Sequence, residues 1–102
     1  MLADLDRPIE TYRYEPWERD VSLRALSAAQ FVEIMHGMAQ AGEDDTANKI
    51  AVMSSVCSYG VVDPVSTADE WAAGVCLETL MHLGNRVLEK ANKQLLEGAK
   101  KN

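Results

Sequence analysis

Two cysteines and two histidines are the side chains best suited to nucleophilic or metal chemistry in this sequence. Cys57 and Cys76 stand 19 residues apart, with no CxxC spacing, and both fall inside apolar stretches that read as helix. The expectation is a pair of buried free thiols in a reducing compartment. His36 is followed four residues on by Gln40, and His82 by Arg86, so neither has a second metal ligand at helical spacing. No glycine-rich phosphate loop, GxSxG or HExxH occurs. A cysteine–histidine pair formed in space would need Cys57 or Cys76 beside His36 or His82, and it would show as thiol reactivity at neutral pH. No orienting third group accompanies such a pair. The sequence therefore points away from an enzyme, with no catalytic, cofactor-binding or metal-binding residue to nominate.

Binding residues are better represented. Tyr12, Tyr14 and Trp17 fall within six residues of one another, and Trp71 follows a strong helix start. Tyrosine and tryptophan are enriched at binding hot spots, and they serve equally to fix a hairpin onto a small core. Met35 and Met38 share a helix, where methionine supplies either core filling or an adaptable surface for a partner helix. Tyr14, Trp17, Met35 and Met38 are the candidate partner contacts.

Local patterning indicates the elements that must position them. Residues 1–11 are polar and contain Pro8, and they read as a flexible lead. Tyr12–Glu15 and Val21–Arg24 alternate apolar and polar residues around a turn over Pro16–Asp20, which predicts a short hairpin over 12–24. Such a hairpin is unstable alone and must pack on helices or on another chain. Ser27 and Gln30 form a capping box for a first helix over 28–41, with Gly42 at its C-terminal cap. The apolar residues Ala28, Phe31, Val32, Met35, Met38 and Ala39 make its stripe.

An acidic loop, Glu43-Asp44-Asp45, leads to a second helix over 47–58, capped by Asp45 or Thr46. It is apolar on most sides, which marks the central helix. Gly60 ends it, and Val61–Pro64 reads as an extended connection. Thr67 with Glu70 caps a third helix carrying Trp71 to Leu83; Gly84-Asn85 reads as a break before a fourth helix over 86–98, and 99–102 as a tail. The fold class expected is mainly α, a compact bundle of about four helices with a short N-terminal β-hairpin, in one domain spanning 1–102.

Charge and composition bound the partners. The net charge is −6, from 16 acidic and 10 basic residues, whereas phosphate binding needs a basic face. The exception is residues 86–102, where bases outnumber acids five to two. That segment could pair subunits head to tail, or it could be a solvated helix end whose lysines suit the macrodipole. No apolar run approaches the ~20 residues needed to cross a bilayer. The N-terminus turns acidic at Asp4, unlike a secretory leader. A soluble, intracellular protein is expected, and a chain of 102 residues has a narrow stability margin that favours self-association.

The order of these pieces carries a likeness. Tyr14-Glu15-Pro16-Trp17 and Val21-Ser22-Leu23-Arg24-Ala25-Leu26-Ser27 lead into a helix, and a buried second helix ends in Val61-Val62-Asp63-Pro64. Then come a capped third helix, Leu83-Gly84-Asn85, and a charged helix with Glu89-Lys90-Ala91-Asn92-Lys93. Over about residues 12–93 this layout resembles the tail assembly chaperones of long-tailed bacteriophages and prophages. One departure is the segment between Asp63 and Trp71, short beside the longer acidic connection of that family. The resemblance implies a helical protein of the host cytoplasm, absent from the mature virion. It would hold the tape measure protein in solution and help recruit tail tube subunits. It also implies a longer form made by −1 frameshifting, for which Lys100-Lys101-Asn102 could be encoded by a slippery AAA AAA AAC. The alternative from a different class is a small bacterial adaptor that homodimerises through its third and fourth helices.

Overall fold

The computed structural model describes residues 7–42 and 45–100, with side chains as far as Lys90. The fold is mainly α, with a small antiparallel sheet at the N-terminal end. The elements are β1 (Glu10–Tyr14), a 3-10 turn (Glu15–Trp17), β2 (Arg19–Leu23), α1 (Ala28–Gln40), α2 (Thr46–Gly60), β3 (Val61–Asp63), α3 (Ala68–Gly74) and α4 (Leu77–Lys100). Most of the expected lead, with Glu43, Asp44 and the Lys101-Asn102 end of the tail, lies outside the described residues.

The hairpin forms, with Glu10 opposite Leu23 and Tyr14 opposite Arg19. Its turn is tighter than the sequence suggests. Pro16 suits the first turn of the 3-10 helix, where no N–H is needed, and Glu18 closes the turn in the left-handed region at φ 51°, donating its N–H to Glu15 O at 2.9 Å. The expected connection Val61–Pro64 contains a third strand, since β3 pairs antiparallel with β2. Val61, with Val21 and Leu23 from β2, is buried in the core. Burial of alternate residues in this way specifies a register. Arg24 N–H donates to Gly60 O at 2.8 Å and ties the strand end to the end of α2.

Both capping boxes are present. Ser27 accepts from Gln30 N–H while the Gln30 side chain accepts from Ser27 N–H, and Thr67 and Glu70 repeat the arrangement. Asp45 caps α2 by accepting from Asn48 N–H. Gly42 is not the cap of α1: Ala41 holds that position in an extended conformation. Helix α2 packs on α1, α3, α4 and β3, and it buries Val52, Met53, Val56 and Cys57 among them.

The third and fourth helices differ from expectation. The break falls at Val75-Cys76, not at Gly84-Asn85, and α4 runs unbroken through both of those residues. Gly84 has a packing role. A β-carbon there would lie 2.5 Å from Met53 Cε and 3.8 Å from Cys57 Sγ, so the missing side chain lets α4 press onto α2. Gly60 serves the same crossing from the other helix, where a β-carbon would sit 2.6 Å from Val87 Cγ2.

Candidate functional site

Tyr14 is a core residue. It is 5% exposed, and its hydroxyl shares a hydrogen bond with the buried Thr79 hydroxyl at 2.9 Å. Its ring stacks on His82 at 5.2 Å and meets Trp17 edge-on at 5.2 Å, and Trp17 stacks on Trp71 at 6.2 Å. This aromatic row joins the hairpin to α3 and α4 of the same chain. As a direct partner contact Tyr14 is therefore corrected, because its area is spent inside the domain. Trp17 is half-buried at the end of the row and keeps part of its surface free.

Met35 and Met38 lie on the outside of α1, at 37% and 36% exposed, and Val32 beside them is 67% exposed. At about 100° per residue, Phe31, Ile34 and Met38 form one sector of α1. Ile34 is buried, and Phe31 and Met38 border it. Ala28, Val32, Met35 and Ala39 form the adjoining sector, spaced four, three and four apart, and all four are exposed. Over Ala28–Gln40 the acidic and basic residues are Glu33, whose carboxylate accepts a 2.7 Å hydrogen bond from Tyr59, and His36, which is bonded to Gln40. The bond to Glu33, above all, raises the Tyr59 pKa. The face left over is apolar, uncharged and helical. The sequence shows the stripe but not its width relative to the neighbour that covers it, which is why Val32 was missed.

A concave feature lies between the hairpin and α4. It has a volume of about 410 Å³ and is lined by Tyr12, Arg13, Tyr14, Glu15, Pro16, Glu78, His82 and Arg86. Arg86 lies 4.0 Å above the Tyr12 ring and pairs with Glu10 at 3.6 Å, and Lys90 also pairs with Glu10. Burial raises the Tyr12 pKa, opposed by the Arg86 charge. Glu78, His82 and Arg86 recur every four residues, a signal present in the sequence. The expected break at Gly84-Asn85 separated Arg86 from the other two.

The cysteines differ from each other. Cys57 is buried, its thiol donates to Leu80 O at 3.7 Å, and burial pushes its pKa up to about 12. Cys76, expected to be buried within a helix, is exposed at the α3–α4 junction. Its sulfur lies 3.5 Å from Thr79 Oγ1, and hydrogen bonding from the Thr79 hydroxyl, then from its backbone N–H, holds the thiol below its ordinary value. His82 is taken up by Tyr14 and His36 by Gln40 at 3.1 Å. Among the described residues no group of three His, Cys, Asp or Glu side chains converges as a metal site, and no helix is long and apolar enough to cross a membrane. On α4, Leu80, Leu83 and Val87 are buried, whereas Leu77 is exposed. No family model, characterised protein or solved structure matches the chain.

Proposed function

We infer that this chain is a binding protein, a tail assembly chaperone of a long-tailed phage or prophage. It binds the tape measure protein in the host cytoplasm, keeps it soluble and helps recruit tail tube subunits. The layout of residues 12–93 suggests the family, and one observation carries the mechanism. The apolar arc of α1 is about twice as wide as the part turned toward α2. Ala28, Val32, Met35 and Ala39 are left at the spacing with which one helix packs on another. A client helix laid along this face meets four apolar side chains, while Glu33, bonded to Tyr59, lies on another side of α1. The acidic body, at net −6, keeps the loaded complex dispersed.

Co-expression with the tape measure protein of the same tail gene cluster tests this reading. The wild-type chain retains that protein in the soluble fraction and on an affinity tag. The double variant Val32→Asp and Met35→Asp, changed at exposed positions, folds normally and loses it. Insolubility of the client beside the wild-type chain, or full retention by the double variant, refutes the reading.

A further inference from the structure

We propose that β1 pairs with β1 of a second copy of this chain, antiparallel about a two-fold axis at Tyr12, so that the two sheets join into one. The sheet order is β1-β2-β3, which leaves β1 an outer strand with β2 as its only strand neighbour among the described residues. It carries no proline, lysine or bulge, the devices that keep an edge from pairing. Two hydrogen bonds show which main-chain groups of β1 turn outward. Arg24 N–H donates to Gly60 O, so Arg24 and, two residues earlier, Ser22 turn their main chains toward the β3 side. The Thr11 and Ser22 hydroxyls meet at 2.8 Å, the close approach of a cross-strand pair that exchanges no main-chain bonds. Thr11, opposite Ser22, and Arg13, opposite Asp20, therefore point their N–H and C=O groups away from β2.

Those groups fix the register. Thr11 of each copy opposite Arg13 of the other forms two reciprocal pairs of main-chain bonds, and Tyr12 meets Tyr12 of the second copy on the axis. Setting Arg13 against Arg13 would oppose like charges and bring in Glu15, whose C=O is already taken by Glu18 in the turn. Setting Thr11 against Thr11 leaves Arg13 facing Ile9, which lies outside the strand. Charge selects a second copy as the occupant. The groove along this edge is lined by Arg13 and Arg86 and equally by Glu15 and Glu78. A strand with a net charge of either sign meets as much repulsion as attraction there. β1 is itself balanced, Glu10 against Arg13, and an isologous contact needs a patch complementary to itself. Arg86, over the Tyr12 ring, reaches the axis already paired with Glu10 of its own chain. The contact lies apart from the exposed face of α1, and neither depends on the other.

Sedimentation velocity of the full chain over a concentration series tests the pairing, with hydrogen exchange of the amides of residues 10–14 followed in parallel. The wild type is expected to pass from monomer to dimer, and protection of the Thr11 and Arg13 amides rises with concentration. Thr11→Pro removes an outward N–H, which an edge strand tolerates, and weakens dimerisation at least about tenfold with circular dichroism unchanged. Val32→Asp with Met35→Asp dimerises as the wild type does. Disulfide trapping in a Cys76→Ser background reads the register without the proline variant. Opposed residues bring their Cα atoms to about 5.5 Å, within disulfide reach, whereas the two copies of one residue lie diagonally at about 7–8 Å or more. A mixture of Thr11→Cys and Arg13→Cys chains therefore cross-links, and neither variant does so alone. A monomer at every concentration, a folded Thr11→Pro chain that dimerises as the wild type does, or no preference for the mixed cross-link would each overturn the proposal.

Discussion

Replacing Gly60 with alanine adds one methyl group at the tightest point of the α2–α4 crossing. The new β-carbon would sit 2.6 Å from Val87 Cγ2 and 3.0 Å from Val87 Cβ, and Val87 is fully buried. Valine cannot swing its γ-carbons clear, because the collision reaches its own β-carbon. The helices must part, and overpacking of this kind costs about 1–3 kcal/mol. Alanine recovers up to about 1 kcal/mol of helix propensity at the last residue of α2. A net loss of about 1–2 kcal/mol remains, worth roughly 4–15 °C in a domain of this size. The assay is urea unfolding followed by circular dichroism, run as a double-mutant cycle with Val87→Ala. That single variant leaves a cavity and is destabilised by about 2–3 kcal/mol. In its background Gly60→Ala fills part of the space and costs little, so the two changes couple by more than about 1 kcal/mol. Gly84→Ala is the contrast. Its β-carbon overlaps the flexible end of Met53 and makes ordinary contact with Met53 Sδ and Cys57 Sγ, so a shift of the Met53 side chain relieves the strain and that variant loses less than Gly60→Ala. Additive energies for Gly60 and Val87, or a larger loss at Gly84 than at Gly60, would refute the packing argument.

Glu18 holds the left-handed turn of the hairpin, a conformation that costs a non-glycine residue about 1–2 kcal/mol. Glu18→Gly therefore raises the unfolding midpoint despite the added chain entropy, by a net of roughly 0.5 kcal/mol; an unchanged or lower midpoint would contradict this. Tyr14→Phe strips a buried hydrogen bond from Thr79 and lowers stability by about 1–2 kcal/mol, which denaturant titration measures directly. Native-state thiol labelling modifies Cys76 first, with a pH profile centred below the ordinary thiol value of 9.0, while Cys57 reacts only on unfolding. Mass spectrometry of the labelled peptides checks the order, and fast native labelling of Cys57 would show that its burial is misjudged.

The features legible in the sequence were those decided within a few residues. Ser27 with Gln30 and Thr67 with Glu70 bond across three residues, so their helix starts could be read directly. The hairpin's alternation was equally local, although its strands run Glu10–Tyr14 and Arg19–Leu23 instead of starting at Tyr12 and Val21. What escaped was set by distant neighbours. β3 is three residues long, and its pairing partner lies about 40 positions earlier, so no periodicity announces it. Gly74 and Gly84 look alike as weak points, but only Gly84 meets Met53, and the helix breaks after the other one. The same limit governs the site. Tyr14 has the chemistry of a hot spot and is consumed by His82, Trp17 and Thr79. Val32 looks like a core residue and is left exposed because α2 covers only one sector of α1.

Under the proposed function, the exposed face of α1 also limits how tightly one copy would hold a client. Val32 is mostly free, but Met35 has already lost more than half its accessible surface, so covering this face gains roughly 2–4 kcal/mol. Bringing two bodies together costs about 4–15 kcal/mol in lost motion. A single α1 contact therefore cannot give a stable complex. Stability must come from several copies on one long client, where each bound neighbour turns the next contact into an intramolecular event. The expected result is affinity that depends steeply on client length. A synthetic helix with a single apolar stripe of about 20 residues should bind at millimolar strength or weaker, whereas concatenated copies of that helix should bind with progressively slower release. Surface plasmon resonance on immobilised one-, two- and four-unit helices measures this. Tight one-to-one binding of the single unit would mean that the recognition surface is larger than α1, and would return the hairpin turn with its half-exposed Trp17 to the list of contacts.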